Sequence, residues 1–224
     1  MAAESDPPRL SRELMALRVA RELQPGSAVN LGIGLPTLVG GFVEAEAGIL
    51  LQAENGILGY GDFSEGDFDP DLINAGGQPV GLNAGASFFD SAASFAMIRG
   101  GHIDVAVLGG LQVSERGDLA NWSVPERGGG SIGGAMDLAV GARRLIVVMA
   151  HTTKAGEPRI LRECRYPLTA RRCVDLIVTD LAVIEVVDEQ LVLRELAPGV
   201  TAEAVAALTE PPLRPADDLH EMRL

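Results

Sequence analysis

Ala28-Val29-Asn30-Leu31-Gly32-Ile33-Gly34-Leu35-Pro36-Thr37 is a short apolar run that breaks on Gly-Ile-Gly and resumes, after a proline, as a second apolar segment reaching Phe42. An aliphatic run of this length fits a buried strand, the glycines permit a tight turn, and proline is preorganised for the first turn of a helix. The stretch reads strand, turn, helix. On its N-terminal side, Leu14, Leu17, Val19, Ala20 and Leu23 recur at near-helical spacing behind a capping Ser11, and Pro25-Gly26 ends the pattern. On its C-terminal side, apolar runs at residues 49–53, 103–108 and 145–150 read as buried strands, the last β-branched and continuous enough to be central. Helices at 90–99 and 135–139 precede the second and third of these, while residues 60–71 and 117–134 read as loop or irregular chain. Strands at 174–179, 182–187 and 191–196 and a helix at 201–208 follow.

Strands alternating with helices favour a parallel or mixed sheet covered on both faces, and the closing strand cluster suggests an antiparallel addition. The expected class is α/β. Ligands of such sheets sit at the carboxyl ends of strands, which singles out three glycine-rich turns, at residues 32–37, 54–59 and 128–134. Residues 1–10 read as a flexible lead, 11–210 as one domain and 211–224 as an exposed, proline-containing tail.

Composition narrows the function classes. With 224 residues, 47% of them hydrophobic and 22% charged, the chain can bury one large core. Its 18 Lys and Arg against 31 Asp and Glu leave a net charge of −13, which repels a polyanionic backbone, so nucleic acid is not an expected partner. A small phosphorylated ligand is still compatible, because a few local cations or backbone N–H groups suffice to hold one. Cys164 and Cys173 lack metal or redox spacing and read as reduced core thiols. The opening Met-Ala-Ala-Glu-Ser-Asp-Pro-Pro has neither a basic nor an apolar signal region, and no apolar run approaches the ~18 residues that span a bilayer. The expectation is a cytoplasmic protein with no membrane contact.

Most chemical motifs are missing. Gly32-Ile33-Gly34-Leu35-Pro36-Thr37 lacks the third glycine of a dinucleotide fingerprint, and no Walker sequence, Gly-x-Ser-x-Gly elbow or His-Glu-x-x-His occurs. His102, His151 and His220 show no useful spacing and read as hydrogen-bonded boundary or tail residues. Asp62, Glu65, Asp67, Asp69 and Asp71 lack the central glycine and terminal glutamate of a calcium loop and read as solvated. Glu54 differs from the other acids: apolar Leu50, Leu51 and Ala53 precede it and Asn55-Gly56 turns the chain after it. A partly buried carboxylate is costly, but a strand-terminal Glu can also pair with an arginine or cap a turn, so alone it does not decide.

Five blocks together resemble the β subunit of family I (3-oxoacid) coenzyme A transferases. They are Val29 through Thr37, Glu54-Asn55-Gly56-Ile57-Leu58-Gly59, Ser94 through His102, Gly117-Asp118-Leu119-Ala120-Asn121-Trp122 and Gly133-Gly134-Ala135-Met136-Asp137-Leu138. They stand in the family's order, and Tyr166-Pro167-Leu168-Thr169 with Thr179-Asp180-Leu181-Ala182-Val183 extends the resemblance over about residues 11 to 200. It implies a three-layer sandwich around a largely parallel mixed sheet, the fold shared with ribose-5-phosphate isomerase. It also implies that Glu54 is the covalent nucleophile, that Asn55, Gly56, Gly133, Gly134 and Ala135 bind the coenzyme A thioester, and that a separate α subunit completes the site in a heterodimer or α2β2 heterotetramer. No metal or redox cofactor is implied; coenzyme A is a substrate.

The implied activity moves coenzyme A from succinyl-CoA or another acyl-CoA to a 3-oxo acid such as acetoacetate or 3-oxoadipate through a glutamyl-CoA thioester. Since the attackers are anions and a thiolate of thiol pKa about 8.5 leaves, no step demands a general acid or base, which suits the missing triad. Ala53, Gly77 and Gly128-Gly129-Gly130-Ser131 depart from residues common in the family and blur the acceptor's identity. Arg143 and Arg144 are candidates for the anionic end of coenzyme A, or simply solvated. Two other readings stay open: Glu54 as a base in thioester ring opening or hydrolysis, and a noncatalytic acyl-CoA-binding subunit.

Overall fold

A computed structural model describes residues 7–61 and 69–224. In chain order its regular elements are α1 (Arg12–Ala20), β1 (Ala28–Leu31), β2 (Leu50–Ala53), β3 (Ile57–Gly61), β4 (Gly81–Phe88), α2 (Ser91–Arg99), β5 (Val105–Gly109), β6 (Gln112–Ser114) and β7 (Leu119–Ala120). Then come α3 (Ala135–Gly141), β8 (Arg144–Val148), β9 (Ile160–Leu161), β10 (Leu176–Val178), β11 (Ala182–Val187), β12 (Gln190–Leu196), α4 (Ala202–Ala207) and β13 (Leu213–Glu221).

Ten strands form one sheet in the order β13-β12-β11-β10-β8-β5-β1-β2-β3-β4. The run from β10 to β2 is parallel, and the antiparallel pairs lie outside it, β10 with β11 and β11 with β12 on one side, β2 with β3 and β3 with β4 on the other. Every residue from Val105 to Leu108 and from Leu145 to Val148 is buried, as strands covered on both faces must be. The α/β class and the antiparallel addition are as expected, and β8 is central. A second sheet, β7-β6-β9, sits beside the large one. Among the described residues no helix is long and apolar enough to cross a membrane.

Helix starts follow their caps. Ser11 Oγ accepts from the Leu14 N–H at 3.3 Å, and Asp90 accepts from the Ala93 N–H at 2.8 Å. The buried face of α1 is Met15, Ala16 and Val19, with Leu14 turned outward, so its apolar stripe is rotated from the one the spacing suggests. Arg18 shares that face, where Nε and Nη2 each donate to Glu195 at 2.7 Å.

Several expectations need correction. The helix expected after Pro36 is a 3-10 helix over Pro36–Phe42, in keeping with the poor α-propensity of Gly40-Gly41. Tyr60 and Gly61, expected in a loop, belong to β3. No pattern in the sequence announces β4: its residues are largely exposed and four of its eight are Gly or Ala, so no apolar alternation marks it. Asp62, Glu65 and Asp67 lie outside the described residues. The tail from Pro211 is exposed along much of its length but is not loose: β13 pairs in parallel with β12 after the α4 crossover, and Met222 is buried. Of the lead expected over residues 1–10, residues 1–6 lie outside the described residues; next to the domain, the Leu10 N–H donates to Asp180 O at 2.9 Å and Arg9 Nη1 lies 3.0 Å from Asp180 Oδ2.

Candidate active site

Because β1, β2, β5 and β8 run parallel, their carboxyl ends open on one edge of the sheet, and the residues that follow them share one cleft of about 750 Å³. Gly32 comes from the end of β1, Glu54 from β2, Gly109 and Gly110 from β5, Met149 and Ala150 from β8. Two of the three glycine-rich turns line it through several residues each, one near Gly32 and the other from Ser131 to Ala135, and the third contributes Glu54.

Glu54 is half-buried at the mouth of β2. Loss of hydration raises its carboxyl pKa above the ordinary glutamate value, the Gly134 N–H beside it pulls the other way, and the negative charge of Asp137 adds to the rise. Gly134 immediately precedes α3, and a side chain there would run into the carboxylate: a Cβ would overlap Glu54 and stand 3.0 Å from Phe95 Cζ. Only glycine lets this backbone N–H reach the acid. Ala135 lines the cleft too, but its N–H donates to Ile132 O at 3.1 Å and is not free for a ligand. Gly133, at φ 49°, completes the turn.

Asn55 and Gly56 do not line the cleft among its described residues. Asn55 Nδ2 donates to Ile73 O at 2.8 Å, and Gly56, at φ 122°, allows Phe89 O to approach where a Cβ would overlap it. Both build the turn that aims Glu54. Arg143 and Arg144 are engaged by Asp104 and Glu22 at 2.8 and 2.7 Å and are likewise absent from the cleft wall, as is Gly77.

The strand that leads into Glu54 takes part in a buried polar chain that no motif announces. Asn30 Nδ2 donates to Gln52 Oε1 at 2.6 Å and to Gln52 O at 3.0 Å, and Gln52 Nε2 donates to Ser94 Oγ at 2.8 Å. It joins β1, β2 and α2, with Gln52 two residues before Glu54, and Asn30 reaches the cleft wall. Two amides inside otherwise apolar strands are the signal the sequence offers for it. Asn121 is held against the cleft by Thr169, whose Oγ1 donates to Asn121 Oδ1 at 2.6 Å.

Other titratable groups stand apart. His151 is fully buried between Thr179 Oγ1 at 3.0 Å and Thr209 Oγ1 at 2.9 Å, and desolvation pushes its pKa down to about 4. Cys164 and Cys173 are free and partly buried, and desolvation pushes both thiols up to about 12. Among the described residues no group of three or more His, Cys, Asp or Glu could hold a metal ion.

A partly desolvated carboxylate set against a backbone N–H at the carboxyl edge of a parallel sheet defines a site suited to acyl transfer. The chain belongs to the coenzyme A transferase family, whose model matches residues 12–208. It is 49% identical over 214 residues to the beta subunit of the acetate CoA-transferase of Haemophilus influenzae, covering 96% of each chain. It is 51% identical over 200 residues to the corresponding subunit of the succinyl-CoA:3-ketoacid coenzyme A transferase of Helicobacter pylori, covering 89% of this chain and 96% of that one. With the corresponding subunit of the 3-oxoadipate CoA-transferase of Pseudomonas putida it shares 50% identity over 207 residues, covering 92% and 97%. The fold matches the acyl-CoA transferase YdiF of Escherichia coli O157:H7 with a TM-score of 0.77 at 21% identity, covering 98% of this chain and 44% of that longer one.

Proposed function

We propose that this chain is the β subunit of a two-subunit CoA-transferase that moves coenzyme A from succinyl-CoA or another acyl-CoA to a 3-oxo acid such as acetoacetate or 3-oxoadipate, with Glu54 as covalent nucleophile. The observation that carries it is the Glu54 carboxylate, partly desolvated and set against the Gly134 backbone at the wall of the cleft.

Glu54 attacks the acyl-CoA carbonyl, the C–S bond breaks, and coenzyme A leaves as the thiolate from a mixed glutamyl-acyl anhydride. The thiolate then attacks the glutamyl carbonyl, the anhydride C–O bond breaks and the acyl group leaves as its carboxylate anion, leaving a glutamyl-CoA thioester. The acceptor acid reverses both steps, so Glu54 is regenerated and no proton needs a dedicated carrier. Partial desolvation strips water from the attacking oxygen, and the Gly134 N–H, beside that carboxyl, polarises the glutamyl carbonyl in the second step. An α subunit closes the cleft against water, coenzyme A serves as substrate with no further cofactor, and the protein works in the cytoplasm.

The test uses the chain co-purified with its α subunit. Incubated with acyl-CoA, the intact mass of this chain should grow by a coenzyme A adduct, and hydroxylamine should convert that adduct to a modification on Glu54. Glu54→Ala should abolish exchange. Wild-type exchange in that variant, or no adduct during turnover, refutes the reading. A screen of acetoacetate, 3-oxoadipate and acetate as acceptors identifies the acid.

A further inference from the structure

Among the described residues four ionisable side chains line the cleft, and three of these are cations: Arg12 from α1, and Lys154 and Arg159 from the segment after β8, with Glu54 as the acid. This excess of positive charge lies inside a chain of net −13. Arg18, Arg99, Arg144 and Arg194 are each held by a carboxylate, whereas no carboxylate among the described residues is in ion-pair contact with Arg12, Lys154 or Arg159. Lys154 is the chain's single lysine.

The segment carrying the last two cations is built rather than loose. Thr152 and Pro158 pair across it, the Thr153 N–H donates to Glu157 O at 2.8 Å, and Thr153 Oγ1 accepts from the N–H groups of Ala155 and Glu157 at 3.3 and 3.2 Å. At its root the Arg159 N–H donates to the carbonyl of buried His151 at 3.1 Å. Lys154 thus rides on a turn fixed by Thr153, with Arg159 at the base. The one acid of the turn, Glu157, is not part of the cleft wall.

We propose that Lys154 and Arg159, with Arg12, form an anion subsite of the Glu54 cleft that takes the phosphate oxygens of coenzyme A or the free carboxylate of a dicarboxylic acyl group. The inference rests on the acyl-CoA reading above. Cations without carboxylate partners at the wall of a half-enclosed site act as charge-assisted donors for such oxygens and draw anionic substrates in.

Lys154→Met and Arg159→Met, each co-purified with the α subunit, are assayed with succinyl-CoA, acetyl-CoA and the matching pantetheine thioesters, and coenzyme A binding is followed by calorimetry. KM for both CoA thioesters should rise about 10- to 100-fold, and Lys154→Arg should recover most of the loss. A defect that shrinks with pantetheine thioesters assigns the subsite to phosphate; one confined to succinyl thioesters, with or without the nucleotide, assigns it to the acyl carboxylate. The wild-type KM should climb with added salt more steeply than that of the variants. Unchanged KM values and unchanged coenzyme A binding in variants that melt like the wild type overturn the subsite while the Glu54 adduct still forms; absence of the adduct in the wild type overturns the acyl-transfer reading instead.

Discussion

The Gly134 backbone lies against the Glu54 carboxylate with no room for a methyl group between them, and Phe95 closes the other side. The arrangement is braced by α2 and α3: Arg99 stacks over Phe95 at 5.7 Å and its Nε donates to Asp137 Oδ1 at 2.6 Å. The position of the Glu54 carboxylate therefore depends on how two helices pack and not only on the strand that carries it.

Gly134→Ala is expected to displace the Glu54 carboxylate and remove its N–H partner. Loss of one preorganised donor costs about 10²- to 10³-fold in kcat in other acyl-transfer sites. Steady-state exchange should show a fall of that order while the melting temperature changes little; wild-type kcat in the variant would mean that the contact has no part in turnover.

Glu54 has a raised pKa in the folded chain, so the native state holds a proton there more tightly than the unfolded chain. Native stability is then highest below the ordinary glutamate pKa and falls as pH rises through the raised value. Glu54→Gln should melt above the wild type at neutral pH, and the gap should close as the pH is lowered towards the unfolded pKa. A melting temperature below wild type at pH 7 would contradict the desolvation argument.

Asp137 contributes to raising the Glu54 pKa. In Asp137→Asn that charge is gone, which favours ionised Glu54. The acid limb of the kcat/KM profile should move to lower pH. A limb that stays in place would show that another group governs it.

His151, with its pKa pushed down to about 4, stays neutral in the fold, whereas an unfolded histidine titrates near its ordinary value of 6.5. Between these values the unfolded chain binds the extra proton, so stability is retained above pH 6.5 and lost as pH falls towards 4. The ring-proton shifts of His151 should stay constant on lowering the pH to about 5. Titration near 6.5 in the folded protein would place the ring in contact with water.

Arg18 is 7% exposed and bridges α1 to β12 through Glu195, with Nη1 2.8 Å from Glu22 Oε1. Removing one partner of a buried pair leaves charge without compensation, so Arg18→Ala should cost about 3–5 kcal/mol in denaturant unfolding, and Arg18→Met, which keeps the packing volume, less. Equal costs would indicate that the pair acts through its charge alone.

Much of the sheet is legible in the sequence because its central strands carry signals of their own. Residues 145–150 and 182–187 are continuous or nearly continuous aliphatic runs of the kind that a doubly covered strand accommodates. The edge elements are not: β4 shows four exposed residues in a row, and β13 contains a proline and charged side chains, so backbone pairing with a neighbour, not sequence pattern, makes them strands. Glu54 is legible from the apolar run before it and the turn after it, and the Gly133-Gly134-Ala135 turn from its glycines. The chain of Asn30, Gln52 and Ser94 is not, because each is a single polar residue whose partner lies tens of positions away.

From the sequence alone came the order of the central strands and helices, the acid at the end of one strand and the charge balance that disfavours nucleic acid, since each depends on composition or on residues close together along the chain. Only the tertiary structure decided that Glu54 meets Gly134, that Asn55 and Gly56 shape its turn instead of the cleft wall, and that Arg12, Lys154 and Arg159 stand together there while Arg143 and Arg144 do not. Parallel strands bring their carboxyl ends to one edge whatever the distance between them in sequence, so proximity at that edge is a property of the sheet's register and not of any local stretch.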